Sequence, residues 1–167
     1  MVNMIYQSFF AFLASLGFGV LFNIKGKNLF FAALGGCLSW FVYLLFKTNN
    51  NSEIFSLFIS SIAFSVYSEI FARVLKTPVT TIIICALIPL VPGAGMYYTM
   101  YEIISGNSYK ALELGLNTLS SAGTLALGII FVSTITRQVT NLKRIKKQLF
   151  NKDWLLKLKS VLILLSM

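Results

Sequence analysis

Histidine does not occur among the 167 residues of this sequence, and only five residues are acidic. Without histidine, neither a His-ligated metal site nor a Ser-His-type triad can be assembled. Cysteine is nearly absent as well. Cys37 and Cys85 each lie inside an apolar run, without metal-ligand spacing, and read as small packing residues. No nucleophile–base pair stands out, so the chain does not read as an enzyme and no cofactor is implied. Charge is scarce: 11% of residues are charged against 57% hydrophobic, with a mean hydropathy of +0.80. That balance lies far from the soluble average and points to an all-α integral membrane protein forming one compact unit.

What the sequence does hold is a series of apolar runs of membrane length. A span needs about 20 mostly apolar residues. Met4–Phe22, Leu29–Phe46, Ile54–Leu75 and Leu112–Ile135 each meet that need. A further candidate starts after Pro78 and covers 79–91, which is only about 20 Å of helix. Carried on to Ile104 it becomes long enough, but only as a broken helix. About five transmembrane helices are therefore expected, the fourth short or broken at a Pro-Gly motif. Residues 96–104 either span or lie at the interface. Met1-Val2-Asn3 carries no base and no small-x-small cleavage site follows, so the first span is expected to stay in the mature protein.

Loop charge sets the orientation. Lys25 and Lys27 follow the first span, and Arg73 and Lys76 follow the third. After the last span come Arg137 and seven further bases against the single acid Asp153, most of the chain's net charge of +9. Five crossings put all three basic regions on the inner side of a plasma membrane, with the N-terminus outside and the C-terminus cytoplasmic. Residues 1–137 then form a transmembrane domain and 138–167 a basic amphipathic tail. Leu142, Ile145, Leu149, Phe150 and Trp154 alternate there with bases, as in a helix lying on anionic lipid. The run Lys143-Arg144-Ile145-Lys146-Lys147 reads as an inside-positive anchor, not a nucleic-acid patch.

The break itself is Ile88-Pro89-Leu90-Val91-Pro92-Gly93-Ala94-Gly95. Proline removes a helical hydrogen bond, and unpaired backbone cannot face lipid. Either the helix ends near the surface, or the break lies at membrane depth beside protein or water, as in many transporter sites. Gly106 falls in a later loop with no such role. Small residues recur four apart: Ala11, Ser15 and Gly19, then Ala32 with Gly36 and Gly35 with Ser39, then Ser120, Thr124 and Gly128. They serve close helix packing or, with Asn117 and Ser121, line a polar path. Ser61, Ser65, Glu69 and Arg73 share a helix face. Glu69 and Arg73 form a membrane ion pair, either functional or anchoring the helix end at the interface. Glu102 meets a substrate ammonium, carries a coupling proton, or sits at the interface beside the belt of Tyr97, Tyr98 and Tyr101.

Three segments resemble the threonine/serine exporter family: 17–23 (GFGVLFN), Ser68-Glu69-Ile70-Phe71-Ala72-Arg73 with Lys76-Thr77-Pro78, and Ile88 to Gly93 followed by Met96-Tyr97. The resemblance covers roughly residues 4–137 and fits the small-subunit form, equivalent to the C-terminal half of longer single-chain exporters. It implies a secondary exporter of threonine and serine, or of succinate and related dicarboxylates, working with a larger membrane subunit. Coupling to the proton gradient is likewise implied by the resemblance alone. The tail after about Gln138 departs from the family pattern. A non-transporting accessory or scaffold protein is the alternative from another class, and association with a second copy stays open. Carboxylate-bearing substrates suit a helix restarting after Pro92-Gly93, whose free N–H groups and positive dipole end attract anions. Pro89, Pro92, Gly93, Ala94 and Gly95 are the expected substrate-binding backbone, with Tyr97, Glu102 and Asn117 as side-chain candidates.

The charge pattern makes a topological prediction. Reporter fusions after residue 50 and after residue 140 are expected to report opposite sides of the membrane. Signals from the same side would replace the fourth crossing by a re-entrant hairpin.

Overall fold

A computed structural model describes residues 2–49 and 51–165, with side chains described up to Asn141. Every regular element among the described residues is helical. In order these are α1 (Val2–Leu21), α2 (Lys27–Thr48), α3 (Glu53–Leu75), α4 (Val79–Leu87), a 3-10 turn (Ile88–Leu90), α5 (Gly93–Ile104) and α6 (Ser108–Leu165). Among the described residues, four stretches are long and apolar enough to cross a membrane: Val2–Leu21, Lys27–Thr48, Glu53–Leu75 and Ser108–Asn141. A fifth crossing is available if Val79–Leu90 and Gly93–Ile104, bent by 55° at the break, act as one span. The all-α membrane architecture with a broken fourth helix is therefore the one observed.

Helix ends follow from local chemistry. Asn23 takes a left-handed conformation (φ 57°) after α1, and the Ile24 N–H reaches back to the Gly19 carbonyl at 2.9 Å. Lys76 (φ 54°) closes α3 in the same way, with the Thr77 N–H on the Ala72 carbonyl at 3.0 Å. Both are left-handed caps that satisfy carbonyls the helix leaves open. Pro78 then excludes any helical continuation. Ser52 caps the start of α3 by accepting the Phe55 N–H at 3.3 Å. Gly106 has φ 80°, so this glycine makes a turn that other residues adopt only under strain. It is not the neutral loop position expected from sequence.

The chain divides into two compact units, Met1–Val132 and Ser133–Met167. In the first, α2 is central and packs against α1, α3 and α4. The small-residue stripes are its seams. On α1 the buried residues are Ser8, Ala11, Ser15 and Gly19, and on α2 they include Ala32, Ala33, Gly35, Gly36 and Ser39. A β-carbon at Gly36 would collide with the Ser15 side chain, and one at Gly128 of α6 with Ser61 of α3. The third stripe behaves differently from its partners. Ser120 is exposed and Thr124 half-buried, and each hydroxyl donates to its own helix, to Leu116 O at 2.8 Å and Ser120 O at 2.7 Å. Only Gly128 of that stripe packs.

Serines join the helices where the apolar side chains cannot. The Ser39 hydroxyl shares its one proton between Gly36 O of its own helix and Ala86 O, each at 2.8 Å, and Ser60 donates to Ser39 O at 2.5 Å, tying α2 to α4 and α3 to α2. Tyr67 of α3 donates to Phe31 O at 2.9 Å, with its ring 4.3 Å from that of Phe71. The apolar cluster of Tyr43, Leu57, Phe64, Ala86, Leu90 and Leu125 closes the centre. The second unit is the remainder of α6 and the chain end. The basic amphipathic face expected for the tail falls on side chains outside the described residues.

Gly36→Val is expected to destabilise the protein by about 1–3 kcal/mol through overpacking of the α1–α2 seam. Gly17→Val, where no atom lies within 4 Å of an added β-carbon, is expected to be neutral. Thermal melting of the two variants in detergent, followed by size-exclusion profile, checks this. An unshifted Gly36→Val melt would show that the seam yields.

Candidate functional site

Two prolines three residues apart dictate the geometry of the break. Pro89 enters the first turn of the 3-10 segment, where a missing N–H costs least. The Val91 N–H closes that turn on Ile88 O at 3.3 Å, and Val91 is extended. Pro92 follows at φ −76°, ψ 58°, and the Gly93 N–H bonds Val91 O at 2.7 Å. That is an inverse γ-turn, the tightest reversal the backbone makes. Helix α5 starts immediately. Its cap residue has no side chain able to bond the first turn, and the Met96 N–H is the first to reach back, to Pro92 O at 3.2 Å. The N–H groups of Ala94 and Gly95 are left without an intrahelical acceptor.

The two glycines of this turn do different jobs. A β-carbon at Gly95 would collide with the Thr118 hydroxyl and lie 3.4 Å from Thr118 Cβ, so Gly95 lets α5 approach α6. A β-carbon at Gly93 would meet nothing within 4 Å. Gly93 opens onto a cavity of about 370 Å³. The break from Pro89 to Gly95 forms one part of its wall, and Leu114, Asn117, Thr118 and Ser121 of α6 another. Trp40 and Tyr43 of α2, with Glu53 and Leu57 of α3, complete it. Its volume is in the ordinary range for small-molecule pockets, about 300–1,000 Å³. The turn stands midway along the bent pair, because α4 with the 3-10 turn has as many residues as α5.

Of the residues expected from sequence, Pro89, Pro92, Gly93, Ala94, Gly95 and Asn117 line this one cavity. Tyr97 and Glu102 do not. Tyr97 is 65% exposed, its ring edge-on to Tyr98 at 5.4 Å. Glu102 is buried and fully engaged. Its Oε1 pairs with Lys110 Nζ at 2.7 Å, and its Oε2 accepts the Asn107 amide N–H at 2.8 Å. It fastens the end of α5 to the start of α6. Glu69 and Arg73 also lie apart from the cavity, paired at 3.4 Å with Glu69 largely covered and Arg73 half exposed. Ser61 and Ser65 on the same face are wholly buried, so that face turns from core to surface along α3.

Sequence reading missed the α2–α3 side of the cavity. Tyr43 is buried, and its hydroxyl donates to Glu53 Oε1 at 3.2 Å while accepting from Lys47 Nζ at 2.9 Å. The Trp40 and Tyr43 rings lie 5.3 Å apart. Glu53 and Lys47 read only as loop charges in sequence. The signal that would have found them is a Trp and a Tyr one helical turn apart, followed by an acid in the first turn of the next span.

Helices of this length around a cavity at a broken span define a multi-pass α-helical membrane protein of transporter type. The profile of the threonine/serine exporter family (ThrE) matches residues 7–135, and the chain belongs to that family. No curated protein and no solved structure matches it.

Glu69→Gln is expected to lower efflux or subunit assembly several-fold, because it removes the partly covered charge facing Arg73. Exchanging the two residues should restore part of the loss. Full activity of Glu69→Gln at normal protein level would assign the pair to anchoring the end of α3.

Proposed function

We propose that this chain is the small membrane subunit of a secondary exporter for carboxylate-bearing metabolites, threonine and serine foremost, working with a larger membrane subunit. The observation that carries the reading is the cavity at the Pro-Gly break. Its wall holds the first turn of α5, with two backbone N–H groups lacking acceptors in their own helix. Such a turn combines free donors with the positive end of the helix dipole. A carboxylate placed there gains charge-assisted hydrogen bonds that water alone would otherwise make. Gly93 leaves room for it, since nothing stands where its side chain would be. Asn117, Thr118 and Ser121 add hydrogen-bonding groups from α6 for the rest of the ligand.

The bend suits the same task. A half-span on each side of the break gives the site two routes, one towards each membrane face. Membership of the exporter family supports outward movement of the ligand. The topology that agrees with loop charge puts the N-terminus outside and the basic tail in the cytoplasm.

The test is efflux of labelled threonine from loaded cells that co-express the larger subunit. Gly93→Val is expected to lower efflux about tenfold or more, because a branched side chain takes the ligand's place and stiffens the turn. The protein should still insert at near-normal level. Gly17→Val, away from the cavity and with open space around it, is the control and is expected to transport normally. Robust efflux from Gly93→Val would remove the break from the substrate path.

A further inference from the structure

Glu53 is the one charged side chain on the cavity wall among the described residues. It stands in the first turn of α3, where an acid also suits the helix dipole. Two observations go beyond that helix-end role. Its carboxylate is positioned from another helix, by the Tyr43 hydroxyl at 3.2 Å on Oε1. Oε2 has no hydrogen-bond partner among the described residues, and Glu53 makes no ion pair there. The neighbouring base, Lys47, is engaged with Tyr43 itself, through its hydroxyl at 2.9 Å and over its ring at 5.2 Å. Lys47 does not line the cavity.

We infer that Glu53, positioned by Tyr43 and sharing the cavity wall with Trp40, is the ammonium-recognising pole of the cavity and makes it selective for zwitterionic amino acids over dicarboxylates. The inference rests on the proposed carboxylate site at the break. The ammonium of an α-amino acid bound there lies one carbon from its carboxylate, and the cavity wall offers it one carboxylate and two aromatic rings. A free ammonium gains a charge-assisted hydrogen bond from Oε2 and cation–π attraction from an indole or phenol face. A dicarboxylate would instead bring a second negative charge into a cavity whose one charged side chain among the described residues is already negative. Tyr43 acts as a positioning residue, holding the carboxylate without neutralising it.

Trp40 supplies the measurement, because Trp154 is the only other tryptophan. In a Trp154→Phe background, Trp40 fluorescence of the full chain in lipid nanodiscs is titrated with threonine, N-acetylthreonine and succinate. The reference chain is expected to saturate with threonine and to prefer it to N-acetylthreonine and to succinate by about tenfold or more. Glu53→Gln should collapse both preferences to within about threefold by weakening threonine alone. Tyr43→Phe should give an intermediate loss, and Glu53→Asp should restore much of the preference. A helix-end role would shift thermal stability without altering these ratios. Unchanged ratios in Glu53→Gln, or equal weakening of all three ligands, would overturn the inference. Gly93→Val tests the underlying site separately: it should abolish the response to threonine and N-acetylthreonine alike. A Gly93→Val protein that keeps its threonine response would overturn the site at the break while leaving Glu53 to be judged by its own ratios. A reference chain that shows no saturable response would overturn both.

Discussion

Hydrocarbon offers no hydrogen bonds, so a chain that breaks a helix inside it must find partners for every backbone group it frees. An amide without a partner there costs several kcal/mol. The break between α4 and α5 frees several at once. Pro89 withholds the N–H that would meet the Cys85 carbonyl, and 3-10 bonding turns the Leu90 N–H from the Ala86 carbonyl to that of Leu87. Ser39 repairs part of this from α2 by donating its hydroxyl to Ala86 O. The γ-turn at Pro92 satisfies Gly93, and Thr99 donates to the Gly95 carbonyl at 2.7 Å. What stays open is the pair of N–H groups at Ala94 and Gly95, and these belong to the segment that lines the cavity. That share of the cavity's polarity is thus a consequence of the break.

The rest of the first unit supports that arrangement. Without water to drive association, helices in a membrane hold together through close contact and polar links. The α1–α2 and α3–α6 seams use Ser15 against Gly36 and Ser61 against Gly128, pairs in which one partner has no side chain. Close approach lets Ser39 and Ser60 reach carbonyls on neighbouring helices. It also fixes where the cavity can be, because α2 contributes both the serine that repairs α4 and the Trp40–Tyr43 wall. Loosening α2 would therefore disturb the turn and the wall together.

Much of this was legible in the sequence because hydrocarbon imposes strict rules. Span lengths, the broken fourth helix and the packing stripes on α1 and α2 follow from apolar run length, proline chemistry and residue size. The gathering of Asn117 with the break was less determined, since two separate helices had to meet. It was suggested by an amide in an apolar helix needing a polar neighbour. Three features were out of reach. The φ of Gly106 depends on how α5 and α6 are joined. The engagement of Glu102 depends on Lys110 folding back across that same turn. The Glu53 wall needs α2 and α3 to meet at one end of the hairpin, where sequence offers only a pair of loop charges. Local patterns carry periodicity, whereas these contacts are tertiary.

The chain Lys47–Tyr43–Glu53 keeps the proposed ammonium-binding carboxylate available. Glu53 is exposed, and a carboxylate locked in a direct ion pair would have little left to offer a ligand. A tyrosine between the two charges avoids that direct pairing. Its hydroxyl accepts from the ammonium and donates to the carboxylate, and each bond polarises the other. The acid keeps a distant counter-charge while one oxygen stays open. At the break, the α5 turn meets the same demand with the opposite sign, since a helix dipole is a partial charge that needs no counter-ion of its own. The proposed site, built from these two devices, would carry opposite polarity at its two poles.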